Sequence, residues 1–151
     1  MAYSTVVVGT DGSATAETAV KHAGKLAADH GARLVIVTAY EDEEDQLVPR
    51  ARTRNAPEVI SWALTDRHQA EEKARYGKSL ASEFGATSVV AHAVAGNPPD
   101  VLLEIAADFG ADVIVVGSKG LTGASRFVMG SVASAVSHHA SCDVLIVQTA
   151  Q

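Results

Sequence analysis

The chain has 151 residues, a formal net charge of −6, 47% hydrophobic residues and one cysteine. These values predict one globular domain spanning 1–151 and exclude a disordered chain. The acidic balance argues against a nucleic-acid binder, and the lone Cys142 excludes an internal disulfide. Because we find neither a signal-peptide pattern nor an apolar run long enough to span a bilayer, we expect a cytoplasmic protein without membrane contact.

Five short apolar runs predict β-strands, because each is rich in β-branched residues. Most of the runs are continuous rather than alternating, which is typical of strands covered on both faces in a parallel sheet. The third run alternates in part and is predicted to lie at an edge of the sheet. The runs cover residues 6–8, 34–37, 89–94, 113–116 and 144–147.

Four segments with helical periodicity separate these runs and cover residues 13–30, 57–84, 97–109 and 131–140. The third segment has the clearest limits, with Asn97 as the predicted N-cap and Gly110 just after the last turn. Strands and helices therefore alternate along the whole chain. With right-handed connections, that order predicts an open parallel sheet with helices on both faces.

The loop after the first predicted strand carries Thr10 and Asp11. In open parallel sheets, ligands bind beyond the carboxyl ends of the strands. Asp11 is therefore either part of a tight turn that caps the first helix, or a carboxylate beside a ligand. The two interpretations are compatible, and the residues by themselves favour the turn.

A glycine-rich loop follows the fourth predicted strand and extends over residues 117–131. It ends at Gly130 and Ser131, where a helix N-terminus with free N–H groups suits an anion, above all a phosphate. The alternative is a flexible connection, and glycine content alone does not separate the two. No G-x-G-x-x-G pattern follows the first strand, which argues against a dinucleotide fold of the usual kind.

Three stretches of the chain resemble universal stress proteins of the single-domain kind. They are VVVGTDGSATAETAVKHAGKLA, GNPPDVLLEIAADFGADVIVVGSKG and GSVASAVSHHASCDVLIVQT. The most specific feature is the glycine spacing of the nucleotide-binding branch, in which G, two residues, G and nine residues precede G and Ser or Thr. Gly117, Gly120, Gly130 and Ser131 match this spacing in full.

The resemblance implies a flavodoxin-like, Rossmann-like sheet of five parallel strands in the order 3-2-1-4-5. It also implies a homodimer that pairs through the fifth strand, here residues 143–149. Ten positions are implied to bind nucleotide, although Ser118 and Lys119 occupy variable slots of the motif. They are Thr10, Asp11, Ala39, Gly117, Ser118, Lys119, Gly120, Gly130, Ser131 and Val132.

The function that the resemblance implies is regulatory binding of ATP with Mg²⁺ in a stress response. Binding of cyclic AMP (cAMP), as a sensor or buffer of a second messenger, is the first alternative, and slow ATP hydrolysis is the second. The sequence supplies no convincing partner base for Asp11, so we assign no catalytic residue. His138 and His139 have no third ligand at a suitable spacing, so we predict no protein metal site.

Overall fold

The computed structural model describes residues 2–41, 56–118 and 129–149, with the backbone alone for residues 56–65. Within these ranges strands and helices alternate as the sequence predicts. The elements are β1 (Thr5–Gly9), α1 (Ala14–His30), β2 (Arg33–Tyr40), α2 (Ala56–Glu83), β3 (Ser88–Ala95), α3 (Pro98–Phe109), β4 (Val113–Gly117), α4 (Ser131–His139) and β5 (Asp143–Val147).

The five strands form one parallel sheet in the order β3-β2-β1-β4-β5, which confirms the predicted order. The central strand is β1, where Val7 lies between Val35 of β2 and Ile114 of β4. The chain moves outward from β1 to β3 on one side and then returns to form β4 and β5 on the other side. The switch in direction therefore lies between β1 and β4, where parallel sheets open a crevice for ligands.

Helices cover both faces of the sheet, which explains why the central strands are apolar throughout. Val6 and Val8 pack on one face in a cluster with residues of α1 and α2, including Ala23 and Ala81. Val7 points to the other face, into a cluster with residues of α3 and α4. Successive side chains of a strand alternate between faces, so two covered faces require a continuous apolar run.

The helix ends follow from local residues. Ser13 caps α1 by accepting a hydrogen bond from the N–H of Ala16 at 3.1 Å, and Gly31 ends the helix at a φ of 62°. Asn97 precedes α3 as predicted but makes no capping bond with its side chain, and Gly110 ends that helix at a φ of 62°. Gly31 and Gly110 adopt the left-handed conformation that favours glycine at a helix end.

The two edge strands are β3 and β5. The predicted edge position of the third strand is therefore confirmed, and the apolar β5 lies at the other edge. Leu145 of β5 remains 40% exposed, although it belongs to a strand with the composition of a buried one. Of the helices that the structure describes, none is long and apolar enough to cross a membrane.

Candidate functional site

A cleft of about 240 Å³ opens at the carboxyl ends of β1 and β4, at the switch in strand order. Residues from several separate parts of the chain form its walls. They are Gly9, Thr10, Asp11, Val37, Ala39, Pro98, Val101, Leu102, Val116, Gly117, Gly130, Ser131, Val132 and Ala133.

The loop between β1 and α1 is held in place by its own hydrogen bonds. The N–H of Thr10 donates to the carbonyl of Val37 at 2.9 Å, and Thr10 Oγ1 accepts from the N–H of Gly12 at 3.1 Å. Asp11 Oδ1 accepts from the N–H of Ser13 at 2.9 Å, and no other described group hydrogen-bonds the second carboxylate oxygen, Oδ2. The predicted turn therefore exists, and it presents a fixed carboxylate at the cleft.

The outer side of this loop is covered by Lys73 of α2. Gly12 has a φ of +81°, and a Cβ built on it would lie 3.1 Å from Lys73 Cγ. The lysine stem thus packs against the loop at Gly12, and neither ion pair found among the described residues involves Lys73. Sequence reasoning missed this residue, because α2 is remote from the β1–α1 loop along the chain.

The inner wall of the cleft is apolar. Val37 and Val116 come from the sheet, and Val101 and Leu102 come from the first turns of α3. Gly9 allows Leu102 to approach β1 closely, because a Cβ there would lie 3.0 Å from Leu102 Cδ1. These residues have the composition of a core, so no local signal distinguishes them from residues that only pack. The glycine at position 9 is the one local signal for this apolar wall, because a glycine permits the close approach of Leu102.

The N-terminus of α4 forms the polar wall opposite the β1–α1 loop. Gly130 is the N-cap and supplies no side-chain cap, and the first intrahelical bond runs from the N–H of Ser134 to the carbonyl of Gly130 at 3.0 Å. The preceding N–H groups, including those of Ser131 and Val132, therefore have no acceptor within the helix. Because Gly130 and Ser131 line the cleft, the positive end of the helix dipole faces it, and no acidic residue in the first turn offsets that charge.

Seven of the ten predicted residues line the cleft. They are Thr10, Asp11, Ala39, Gly117, Gly130, Ser131 and Val132. The structure places Ser118 elsewhere: it is 8% exposed, it does not line the cleft, and its hydroxyl donates to Gln148 Oε1 at 2.9 Å. The predicted Lys119 and Gly120 lie outside the described residues.

Charged groups are sparse in the cleft, where Asp11 is the only ionisable residue of the described lining. Among the residues that the structure describes, no group of three His, Cys, Asp or Glu side chains could hold a metal ion. Cys142 lies near the other end of the sheet, where burial and then the charge of Asp143 raise the pKa of its thiol. A raised pKa disfavours the reactive thiolate.

Comparison with known proteins identifies the relatives of this chain. The model of the universal stress protein family matches residues 2–148. A universal stress protein of Mycobacterium tuberculosis is 36% identical over 148 residues, which are 98% of each chain.

Two solved structures share the architecture. A universal stress protein in complex with cAMP is 35% identical, covers 99% of each chain and superposes with a TM-score of 0.73. A universal stress protein from Archaeoglobus fulgidus in complex with dAMP is 24% identical, covers 98% of this chain and all of its own, and has a TM-score of 0.68. At that identity, the second structure shows the shared fold alone.

Proposed function

This chain belongs to the universal stress protein family, and from this premise we propose that its cleft binds an adenine nucleotide as a regulatory ligand in a stress response. ATP is the first candidate ligand. The observation that carries the proposal is the meeting of three surfaces in one cleft: an apolar slot, a fixed carboxylate and an uncapped helix N-terminus. Those surfaces match a base, a ribose and a phosphate in turn.

The apolar wall suits the base of the nucleotide. Val37, Val101 and Val116 offer a flat ring system contacts without competing hydrogen-bond donors. Ala39 lies at the carboxyl end of β2, where backbone groups can read the polar edge of adenine. Burying one face of the base against these side chains supplies affinity that depends little on charge.

The carboxylate of Asp11 suits the ribose. An ionised carboxylate only accepts hydrogen bonds, and a ribose offers two hydroxyl donors. Asp11 Oδ1 is already used by the N–H of Ser13, so Oδ2 is the oxygen available to a sugar. Thr10 Oγ1 accepts a hydrogen bond from the N–H of Gly12. This bond holds the backbone of the loop that carries the Asp11 carboxylate.

The N-terminus of α4 suits the phosphates, because its free N–H groups and dipole attract anions. Gly130 leaves those groups uncovered, since it has no side chain to cap them. The glycine motif adds Lys119 and Gly120 to this part of the proposal. Mg²⁺ fits only as an ion carried by the nucleotide, because the described lining has no carboxylate besides Asp11.

cAMP is the second candidate, favoured by the relative that is 35% identical over 99% of the chain and was solved with that ligand. The two ligands make different demands on the cleft. cAMP has a single negative charge and one free ribose hydroxyl, whereas ATP has three phosphates and two free ribose hydroxyls. ATP binding should therefore depend more strongly than cAMP binding on both Asp11 and the N-terminus of α4.

We also propose that the protein forms a homodimer through β5. The strand hydrogen-bonds to β4 on one side and is an edge on the other, with Leu145 40% exposed. An apolar edge strand is a template for pairing, and a second copy of the strand covers it by symmetry. Sedimentation equilibrium of wild type and Leu145→Lys tests this, and a wild-type monomer would exclude it.

The decisive experiment is calorimetric titration of the purified, ligand-free protein with MgATP and with cAMP. Small molecules released by denaturing the protein as purified are identified by mass spectrometry in parallel. MgGTP is the matched control, because it has the same phosphates and a different base. Tighter binding of MgATP supports the first candidate, tighter binding of cAMP supports the second, and binding of neither overturns the proposed function.

A further inference from the structure

We propose that Ser118 is a positioning residue that couples the nucleotide cleft to the C-terminal segment, defined here as residues 148–149. Ser118 does not line the cleft, yet it holds together the helix start that faces the ligand and the chain that follows β5. The inference rests on the proposed function, since it concerns the affinity of the same cleft for nucleotide.

The hydroxyl of Ser118 is fully used by the C-terminal segment. It donates to Gln148 Oε1 at 2.9 Å and accepts from the N–H of Thr149 at 3.1 Å. Thr149 Oγ1 lies 3.2 Å from the same oxygen and supplies the remaining donor. A serine hydroxyl has one donor and two acceptor sites, so no capacity remains for a ligand. A buried hydroxyl with three partners fixes the backbone that carries it.

The backbone of Ser118 carries this constraint to the cleft. Its N–H donates to the carbonyl of Val147 at the end of β5, at 2.8 Å. Its carbonyl accepts from the N–H of Gly130 at 2.6 Å, and Gly130 is the N-cap of α4. The peptide of Ser118 therefore stands between β5 and the residue that starts the phosphate-facing helix. Any displacement of this peptide moves the N–H groups of Ser131 and Val132.

Loss of the hydroxyl should weaken nucleotide binding without removing any ligand contact. Ser118→Ala deletes three hydrogen bonds of a buried group and loosens the C-terminal segment. The start of α4 then samples more positions, and a ligand must order it on binding. Coupling of this kind is reciprocal, so bound nucleotide should also protect the C-terminal segment.

The first test measures affinity. We expect Ser118→Ala to weaken binding of MgATP or cAMP, whichever wild type binds more tightly, by about fivefold to tenfold. Thr149→Val removes one partner of the same hydroxyl, so its effect should be smaller than that of Ser118→Ala and should shrink in the Ser118→Ala background. An affinity within twofold of wild type for Ser118→Ala would overturn the inference.

A matched control separates positioning from a general loss of stability. Asp112 accepts backbone N–H groups at the opposite end of the sheet, at 2.7 Å from Ser4 and 2.9 Å from Thr5. Asp112→Ala should lower the melting temperature and leave nucleotide affinity unchanged. If Ser118→Ala and Asp112→Ala weaken nucleotide binding equally, the Ser118 hydroxyl acts only through overall stability, and the inference is overturned.

A second measurement is amide hydrogen exchange, first without ligand to compare variants and then with nucleotide bound to wild type. Ser118→Ala should speed exchange at Gly130, while Asp112→Ala should not. In wild type, bound nucleotide should slow exchange at Thr149, and an unchanged rate there would contradict the reciprocal coupling. Absence of nucleotide binding by wild type overturns the proposed function and the affinity effect together. Binding by wild type with unchanged exchange at Gly130 in Ser118→Ala overturns the coupling alone.

Discussion

The two ends of the sheet use polar groups in opposite ways. At the amino end, Asp112 Oδ2 accepts the N–H groups of Ser4 and Thr5, and the Tyr3 hydroxyl donates to Asp143 Oδ2 at 3.0 Å. The N–H of Tyr3 donates to His30 Nδ1 at 2.9 Å. At this end, side chains satisfy the backbone and tie β1 to the elements beside it.

At the carboxyl end, polar groups face a cleft. Asp11 has a carboxylate oxygen without a described partner, and α4 begins at a glycine that caps nothing. Unpaired polar groups lower stability unless a ligand or water satisfies them. The comparison indicates that side chains at the amino end stabilise the fold, and it agrees with the proposal that the carboxyl end binds a ligand. A change at the amino end should therefore lower stability without altering nucleotide affinity.

The largest effect should come from capping α4 with a charge. Gly130→Asp should raise the free energy of unfolding by a few tenths of a kcal/mol, on the order expected for an N-cap side chain. The same carboxylate occupies the N–H groups and repels phosphate, so MgATP affinity should fall by about hundredfold or more. cAMP should lose less. Gly130→Ser is the neutral control, and unchanged calorimetric affinity in Gly130→Asp would contradict the assignment of phosphate to this helix.

The next largest effect should come from the carboxylate of Asp11. Asp11→Asn keeps an oxygen for the N–H of Ser13 but removes the charge that accepts ribose hydroxyls. We expect MgATP binding to weaken by about tenfold, typical of a hydrogen bond to a charged group, with little change in melting temperature. Titration with 2′-deoxy-ATP sharpens the test, because Asp11→Asn should lose less affinity for this analogue than for ATP. An equal loss for both ligands would mean that Asp11 does not contact the ribose 2′-hydroxyl.

Replacing Gly12 or Gly31 by alanine tests whether backbone strain weakens nucleotide binding wherever it occurs, or only when it occurs near the cleft. Gly12 and Gly31 have φ values of +81° and +62°, so an alanine at either should cost about 1–2 kcal/mol of stability. Only Gly12→Ala also meets Lys73, whereas a Cβ at Gly31 meets nothing within 4 Å. Urea unfolding should therefore show a loss in both variants, somewhat larger in Gly12→Ala, and calorimetry should show weaker nucleotide binding in Gly12→Ala alone. Weaker binding in Gly31→Ala would refute the division between the two ends.

The smallest effect should be the pH dependence that Asp112 contributes. Hydrogen bonds from the N–H groups of Thr5 and Ser4 lower the pKa of its carboxyl below the ordinary value of 3.8. The stabilisation is therefore complete above that value and is lost as the pH falls through the lowered folded pKa. Urea unfolding between neutral and acid pH should show a shallower decline in Asp112→Ala than in wild type. Parallel declines would mean that this carboxylate does not set acid stability.

Local sequence features predicted much of the fold because they act over a few residues. Continuous runs of β-branched residues located the strands, and Ser13 and Gly110 lie at helix ends as capping preferences require. The strand order came from the resemblance to a family, since periodicity alone does not state which strands are neighbours. Gly117 and Gly130, which the glycine spacing joins in one motif, line the same cleft.

The sequence by itself therefore determined the elements, their parallel arrangement and the loops that carry polar groups, because propensity and capping are local. Only the tertiary structure decided which side chains meet across the chain. In the folded chain, the Ser118 hydroxyl contacts Thr149, Lys73 packs against Gly12, and Leu102 lines the cleft. Each of these contacts joins segments far apart in sequence, and its geometry depends on how helices pack on the sheet rather than on neighbouring residues.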